Sequence, residues 1–592
     1  MQWMMRRRRV RWAMGGCLLA VLGCAGGASQ PAADRAPVLL ITVDGLIAAD
    51  LEPFGGTQPM PGLQRLVDQG TAWPDALSAV PMTRPAVATY LTGVAPDRHG
   101  VRDDLFAVLP AEIPTLAERL TAAGYRTAGF PDSSFLPERS GLWRGFELVD
   151  RPPAVAISAS RWMPRVRPTR QTLEAFSAWL DSLEDGTDWF GWIHLSHPLV
   201  GQLKQQYVSV PESAQADDLA SYEESLAEFD GLLGRILERV DARADGSETL
   251  ILLAGTLGDQ RRDESSTLPG PGYSLARRAV EVPVIARFPA GVAARGAHEG
   301  VWALDLAATV AAWTGVELSA AAEGVSLTEP TPERTVFSWS WALLDQMGWR
   351  RLTLARHGEH ELIVGSAADD TERADPASGE LRRAVERRAN PSRSGLPDDA
   401  VAALLAEFEI EADPIPEGGR DFDDAELRKR IASHIWNARG KYQLNRNQEA
   451  NMLLTQARRA WDSRNYVAHL DQGQMMALQG QSIAKKVTEK AVQLRPDDPE
   501  AWHWYAHALW LSSWEDAEGI VSVIQPHLAN QADALYDLAC TRSLAGDLQV
   551  SADYLERAYL AGYRDRGHIA ADPDLRNLRE SEYFSEVMQR FH

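Results

Sequence analysis

The chain has 592 residues, 45% of them hydrophobic and 24% charged, with a formal net charge of −22. That length feeds at least two hydrophobic cores and a tether, which excludes a single small domain. The acidic balance leaves no basic face to neutralise phosphates, so nucleic acid is excluded as a partner.

In chain order, a basic run (Arg6 to Arg9, and Arg11) precedes an apolar segment from Ala13 to Leu22. The segment is too short to span a bilayer as a stable helix and is patterned like a secretory signal. Val21-Leu22-Gly23-Cys24 resembles a bacterial lipobox. The resemblance implies a signal over residues 1–23, lipidation of Cys24, and a lipoprotein anchored in the membrane, on the periplasmic face of the outer membrane. The plainer reading keeps Cys24 as an ordinary residue of a signal cut further on. Residues 24–36, rich in Gly, Ala and Ser, read as a flexible tether. Removal of the signal takes away five arginines and makes the chain still more acidic. Cys17 goes with it, so with Cys24 lipidated Cys540 has no thiol left to pair with.

From Pro37 the sequence turns β-branched and apolar over PVLLITV, as a strand does when both faces are covered. TLILL (249–253) and VPVIAR (282–287) repeat the texture, and IPTLAERLTAAGY between them and the first run has helical spacing and a Gly stop. The alternation predicts an α/β sandwich with a central, mostly parallel sheet over residues 37–366. Residues 367–423 are charged and Pro-containing, and are expected to form an exposed connector.

The remainder, 424–592, is helical and repetitive. Trp502 and Tyr536 head similar segments 34 residues apart, and Ala468 falls one period earlier. Ala506 and Cys540 take matching small-residue places. The spacing resembles tetratricopeptide repeats, which implies an all-α repeat domain and a protein or peptide partner on its surface. Trp502 and Trp510 share one helical face and are expected in the core, whereas Trp504 is offset and is a candidate for exposure.

The strand ending in Asp44, followed downstream by TRPAVATYLTGVAPDRHG, resembles sulfatases and related hydrolases of the alkaline-phosphatase superfamily. The resemblance covers about Val38 to Val364 and implies an alkaline-phosphatase-like fold. It places Asp44 at a metal-binding position and Thr83 at the nucleophile position, with Arg84 beside it. Formylglycine is made from Cys or Ser, so Thr83 rules out aldehyde-hydrate chemistry. A metal-bound Thr alkoxide stays open.

Other positions of the pattern are degraded. Thr256 and Leu257 stand where relatives carry Asp-His, and a leucine has no lone pair to give a metal. His197 replaces an Asp and Leu199 a His, while Asp305 is retained with Ala303 in place of a His. His194 and His197 are three residues apart on a strand and loop, a separation compatible with chelation, but with no nearby carboxylate in sequence to complete the set. The bland readings make His194 an interior hydrogen-bonded histidine, Asp44 a strand-end cap and Thr83 a turn hydroxyl.

Two main functions follow, with a third beside them. One is a lipid-anchored, catalytically impaired sulfatase-like protein that uses no cofactor and serves as a cell-envelope scaffold through its repeats. The other is a hydrolase of sulfuric or phosphoric esters with Thr83 as nucleophile and one zinc or calcium ion at Asp44 and His197. A third makes the repeats the binding module and the larger domain a spacer.

Overall fold

The computed structural model describes residues 36–591 except 105–106, 134–135, 138–139, 153–165, 207–220, 259–271, 291, 295, 297–299, 331–332, 366–377, 389–394, 418, 423, 444–445, 511, 529–530, 562 and 564–565. Cys24, the signal and nearly all of the tether lie outside the described residues.

Seven strands form the central sheet: β1 (Val38–Asp44), β2 (Thr71–Leu77), β3 (Arg126–Pro131), β4 (Leu148–Val149), β5 (Trp189–Leu195), β6 (Leu250–Leu257) and β7 (Glu281–Arg287). Their order is β2-β7-β6-β1-β5-β3-β4. Neighbours from β6 to β4 are parallel, and β7 is antiparallel to both β6 and β2. Pro74 lies in the edge strand β2, where the pairing with β7 skips between Trp73 and Ala76, so its missing N–H breaks no ladder bond.

Strand β1 is central and wholly buried, and its side chains alternate between two layers. Leu39, Ile41 and Val43 pack on Leu63 of α1 (Pro61–Gln69), and with it on helices further along the chain. Val38 and Leu40 face Val87 and Leu91 of α2 (Thr83–Thr92). The first layer is completed by Phe176 of α3 (Thr169–Asp181) and by Phe229 and Ile236 of α5 (Tyr222–Asp241), which follows α4 (His197–Gln206). The α2 layer also takes Val310 of α6 (Asp305–Thr314). By the same period of two, Thr42 and Asp44 point to the α2 layer. That parity decides where the polar end of β1 delivers its carboxylate.

A second, antiparallel sheet follows, of β8 (Val336–Ser340), β9 (Leu352–His357) and β10 (His360–Val364) in the order β10-β9-β8. Trp339 N–H ties it to Ala79 O at 2.8 Å. Within the connector, the helix Asp398–Glu407 buries Leu404, and Ile410 and Ile415 are buried beyond it.

The helical region comprises α7 (Ala425–Gln443), α8 (Asn447–Gln456), α9 (Tyr466–Leu478), α10 (Ala484–Leu494), α11 (Pro499–Leu509), α12 (Trp514–Ile524), α13 (Gln531–Ala545) and α14 (Leu548–Leu560). They pair as α7 with α8, α9 with α10, α11 with α12 and α13 with α14, and α11 also packs on α9 and α10. Trp502, Trp504 and Trp510 are all buried. Trp504 is not exposed as its helical offset allowed: its indole N–H donates to Glu500 Oε1 at 2.8 Å, giving the buried ring the polar partner it needs. None of the described helices is long and apolar enough to cross a membrane. The architecture is the expected one, a mostly parallel α/β sandwich followed by an all-helical region.

At the end of β1 the register shifts between Val43 and Asp44, and Gly45 follows with φ 77°. A Cβ on Gly45 would lie 2.7 Å from Leu199 N. Strain at positive φ and this backbone clash act together, so Gly45→Ala is expected to cost roughly 2 kcal/mol or more. Urea unfolding checks it as a lower midpoint at unchanged slope.

Candidate active site

Asp44 ends β1 in the middle of the sheet, between the C-terminal ends of β5 and β6, which its parallel pairing brings alongside. Three hydroxyls converge on its carboxylate. Thr83, the first residue of α2, donates to Oδ2 at 2.8 Å, and Ser196, just past β5, donates to the same oxygen at 2.7 Å. Thr256, near the end of β6, donates to Oδ1. Asp44, Thr83, Ser196 and Thr256 are fully buried.

The charge of this carboxylate is met by His194, also fully buried, whose Nε2 stands 3.3 Å from Asp44 Oδ2 and 3.3 Å from Ser196 Oγ. Its Nδ1 is 2.9 Å from Thr42 Oγ. Thr42 Oγ already accepts from Trp192 Nε1 at 3.0 Å and has Ile193 O, at 3.5 Å, as acceptor for its own hydrogen. This pattern accommodates both ring nitrogens of His194 as donors, the imidazolium form. Burial alone would lower the pKa of His194, but the charge and hydrogen bond of Asp44, with Asp132 and Asp104 behind it, hold it above the ordinary value. Burial alone would raise the pKa of Asp44, but His194 and the hydroxyl donors hold it below. The contact thus favours the charged form of both groups.

A second carboxylate sits just past β3. Asp132 accepts the Ser196 N–H at 2.9 and 3.0 Å and lies 2.5 Å from His197 Nδ1. His197 is thus bound to Asp132 rather than to Asp44. Its pKa is lowered by burial but raised more by the charge and hydrogen bond of Asp132. Leu199 and Leu257 are buried apolar residues.

A third carboxylate caps α2. Asp104 Oδ1 accepts the Arg84 N–H at 2.6 Å, so the helix N-terminus already holds an acidic side chain. The Arg84 guanidinium is turned to Ala107 O at 3.2 Å and is buried near Asp103 and Asp104. Asp305 at the start of α6 accepts Trp302 N–H at 3.1 Å and pairs with Arg334 at 2.6 Å, which is a structural role.

Of the residues singled out from sequence, Asp44, Thr83 and Thr256 meet at one point, while Arg84 and His197 serve neighbouring carboxylates. Ser196, Asp132 and Asp104, and the ion pair formed by His194, were not found from sequence. Ser196 had one signal, its place beside His197 at the end of the strand.

Residues 37–316 match the sulfatase family model. The chain is 32% identical over 135 residues to an arylsulfatase of Klebsiella aerogenes, covering 21% of this chain and 29% of that protein. It is 28% identical over 195 residues to a chloroplastic protein of Arabidopsis thaliana, covering 33% of this chain and 55% of that protein. The chain therefore spans under two thirds of the length of these curated relatives. Among solved structures, a phosphonate monoester hydrolase of Agrobacterium radiobacter aligns with 18% identity and a TM-score of 0.45, covering 60% of this chain and 94% of that one.

The family match corrects the expectation of a protein without a cofactor. Sulfatase-family proteins typically use a divalent metal, so an ion is part of what the family implies. The described residues around Asp44 do not fit one. The group supplies a single carboxylate, three hydroxyls that spend their protons on it and an imidazolium with no lone pair to give. Among the described residues no three His, Cys, Asp or Glu side chains are grouped to hold an ion.

Burial pushes the Asp104 carboxyl up to about 7, against the opposing pull of the Arg84 N–H and guanidinium. A raised acid pKa means the folded chain binds the proton more tightly than the unfolded one, so stability from this group is full below about pH 4 and is lost as pH rises towards 7. Asp104→Asn keeps the acceptor for Arg84 N–H and removes the titration. The variant is expected to gain stability relative to the parent as pH rises from about 4 to 7, by a few kcal/mol at most, checked by urea unfolding at each pH. Residues 37–316 are thus the part of the chain that is similar to the sulfatase family.

Proposed function

We propose that this sulfatase-family domain does not turn over sulfuric or phosphoric esters, and that the protein serves as a cell-envelope scaffold. In this reading it is anchored through lipidated Cys24 and engages a protein or peptide partner through tetratricopeptide-like helices. One observation carries it: Thr83 gives its hydroxyl proton to a buried carboxylate that is already saturated with donors and neutralised by His194. Attack by Thr83 would need that proton removed, and Asp44, with its lowered pKa, is a poor base for the task. A Thr83 alkoxide would place a second negative charge beside Asp44 in a fully buried site with one cation. The three hydroxyls that could orient an ester are occupied by Asp44.

The hydrolase reading draws on the same Thr83–Asp44 contact, a nucleophile and a carboxylate within 2.8 Å. One experiment separates the two. An aryl sulfate, a phosphomonoester and a phosphodiester are assayed with the full chain while calcium, magnesium, manganese and zinc are added in turn. Rates indistinguishable from those of Thr83→Ala are expected throughout. Turnover that disappears in Thr83→Ala would reject the scaffold reading and establish the hydrolase.

A further inference from the structure

The helical region is not a freely tethered module. The described residues from Ala36 onward form one compact unit, and a single hydrophobic cluster crosses from the sulfatase-family side to the helices. Trp341, Leu343, Met347 and Trp349 share that cluster with Ile435 of α7 and Val467 of α9. The segment that carries them, just after β8, contains a single π-helical turn, Leu343–Met347. Two further bonds cross here: Trp349 Nε1 donates to Asp462 at 3.2 Å and Asn465 Nδ2 to Met347 Sδ at 3.3 Å.

At the centre of the turn is Asp345, buried and shared by two arginines from opposite sides. Arg102 Nη2 donates to its Oδ1 at 2.8 Å, and Arg495, just past the end of α10, stands 4.0 Å from the same oxygen. Arg495 also donates to Leu344 O at 2.7 Å. Arg102 is continuous in the chain with Asp103 and Asp104, and Asp104 is the acceptor for the first turn of α2, beside Thr83. A second line of contact runs parallel. Gly272 is packed so closely on Met82 that a Cβ there would lie 2.7 Å from its sulfur, and Tyr273 OH donates to Gln346 Oε1 at 2.5 Å.

We infer that the helical region is coupled to α2, the helix that carries Thr83, through the Asp345 carboxylate that Arg102 and Arg495 share. The inference rests on the reading of the Thr83 site as closed and adds what its helix is tied to. When either guanidinium leaves Asp345, the whole pairing of this buried carboxylate shifts onto the other. Loosening α10 from Leu344 and Asp345 changes the load on Arg102, and so on the 102–104 segment that caps α2. The array and the site helix are thereby two ends of one buried polar chain, not neighbours that happen to touch.

Hydrogen exchange on the full chain tests this without any need for turnover. Asp345→Asn is expected to speed exchange at least tenfold both at the C-terminal end of α10 and in the amides of α2. Asp462→Asn loosens the same interface away from Arg102, and is expected to leave α2 unchanged. If Asp345→Asn does not fold, Arg495→Lys serves in its place, keeping the charge but losing the planar fork that reaches Leu344 O. Faster exchange confined to α10, or an equal response of α2 to Asp462→Asn, would overturn the coupling. If hydrolysis were found while the exchange pattern held, the inactive reading alone would fall.

Discussion

The structure turns on one buried charge, the carboxylate of Asp44. A carboxylate with no solvent exposure must be paired and hydrogen-bonded or it will take up a proton. Here the chain supplies everything the charge requires: three hydroxyls from α2, β6 and the end of β5, and an imidazolium from β5. Such a centre organises the elements that meet around it, because its donors come from separate parts of the chain. The same completeness is what the proposal of an inactive site draws on, since a carboxylate that accepts from Thr83, Ser196, Thr256 and His194 has its acceptor capacity used within the chain.

The His194–Asp44 pair also shows how the surrounding polar atoms fix a protonation state. Thr42 has two lone pairs and one hydrogen. Trp192 takes one lone pair and Ile193 O lies within reach of the hydrogen, which leaves a lone pair to receive a proton carried by the His194 nitrogen. The imidazolium is thus set from behind by a hydroxyl and from in front by a carboxylate. Asp132 acts on the neighbouring His197 in a simpler way, from one side only.

Much of the fold was legible because it is written in local periodicity. The apolar runs that become β1 and β6 announce strands buried on both faces, and the motif around Thr83 places the start of α2 opposite the end of β1. The sheet order was not legible, since it depends on pairings between strands about 150 to 210 residues apart. That is also why half of the site was missed. Thr42 meets His194 only because β1 and β5 run parallel in that register, and Asp132 meets Ser196 only because β3 lies beside β5. Single residues such as Ser196 carry no mark of this in sequence. The hydrophobic residues that join the sandwich to the helices were invisible for the same reason: Trp341 and Ile435 look like members of separate cores until they are seen in one.

The edge strand β2 has a consequence for how the molecule behaves among others. An unpaired strand edge invites another backbone to extend the sheet, and natural proteins interrupt such edges. Pro74 withholds one donor and the skip beside it bends the ladder out of line. At the far end, β4 is only two residues long. Among the described residues, the seven-stranded sheet is thereby left with no straight border long enough to template growth, which guards against aggregation through strand addition wherever many copies are crowded together.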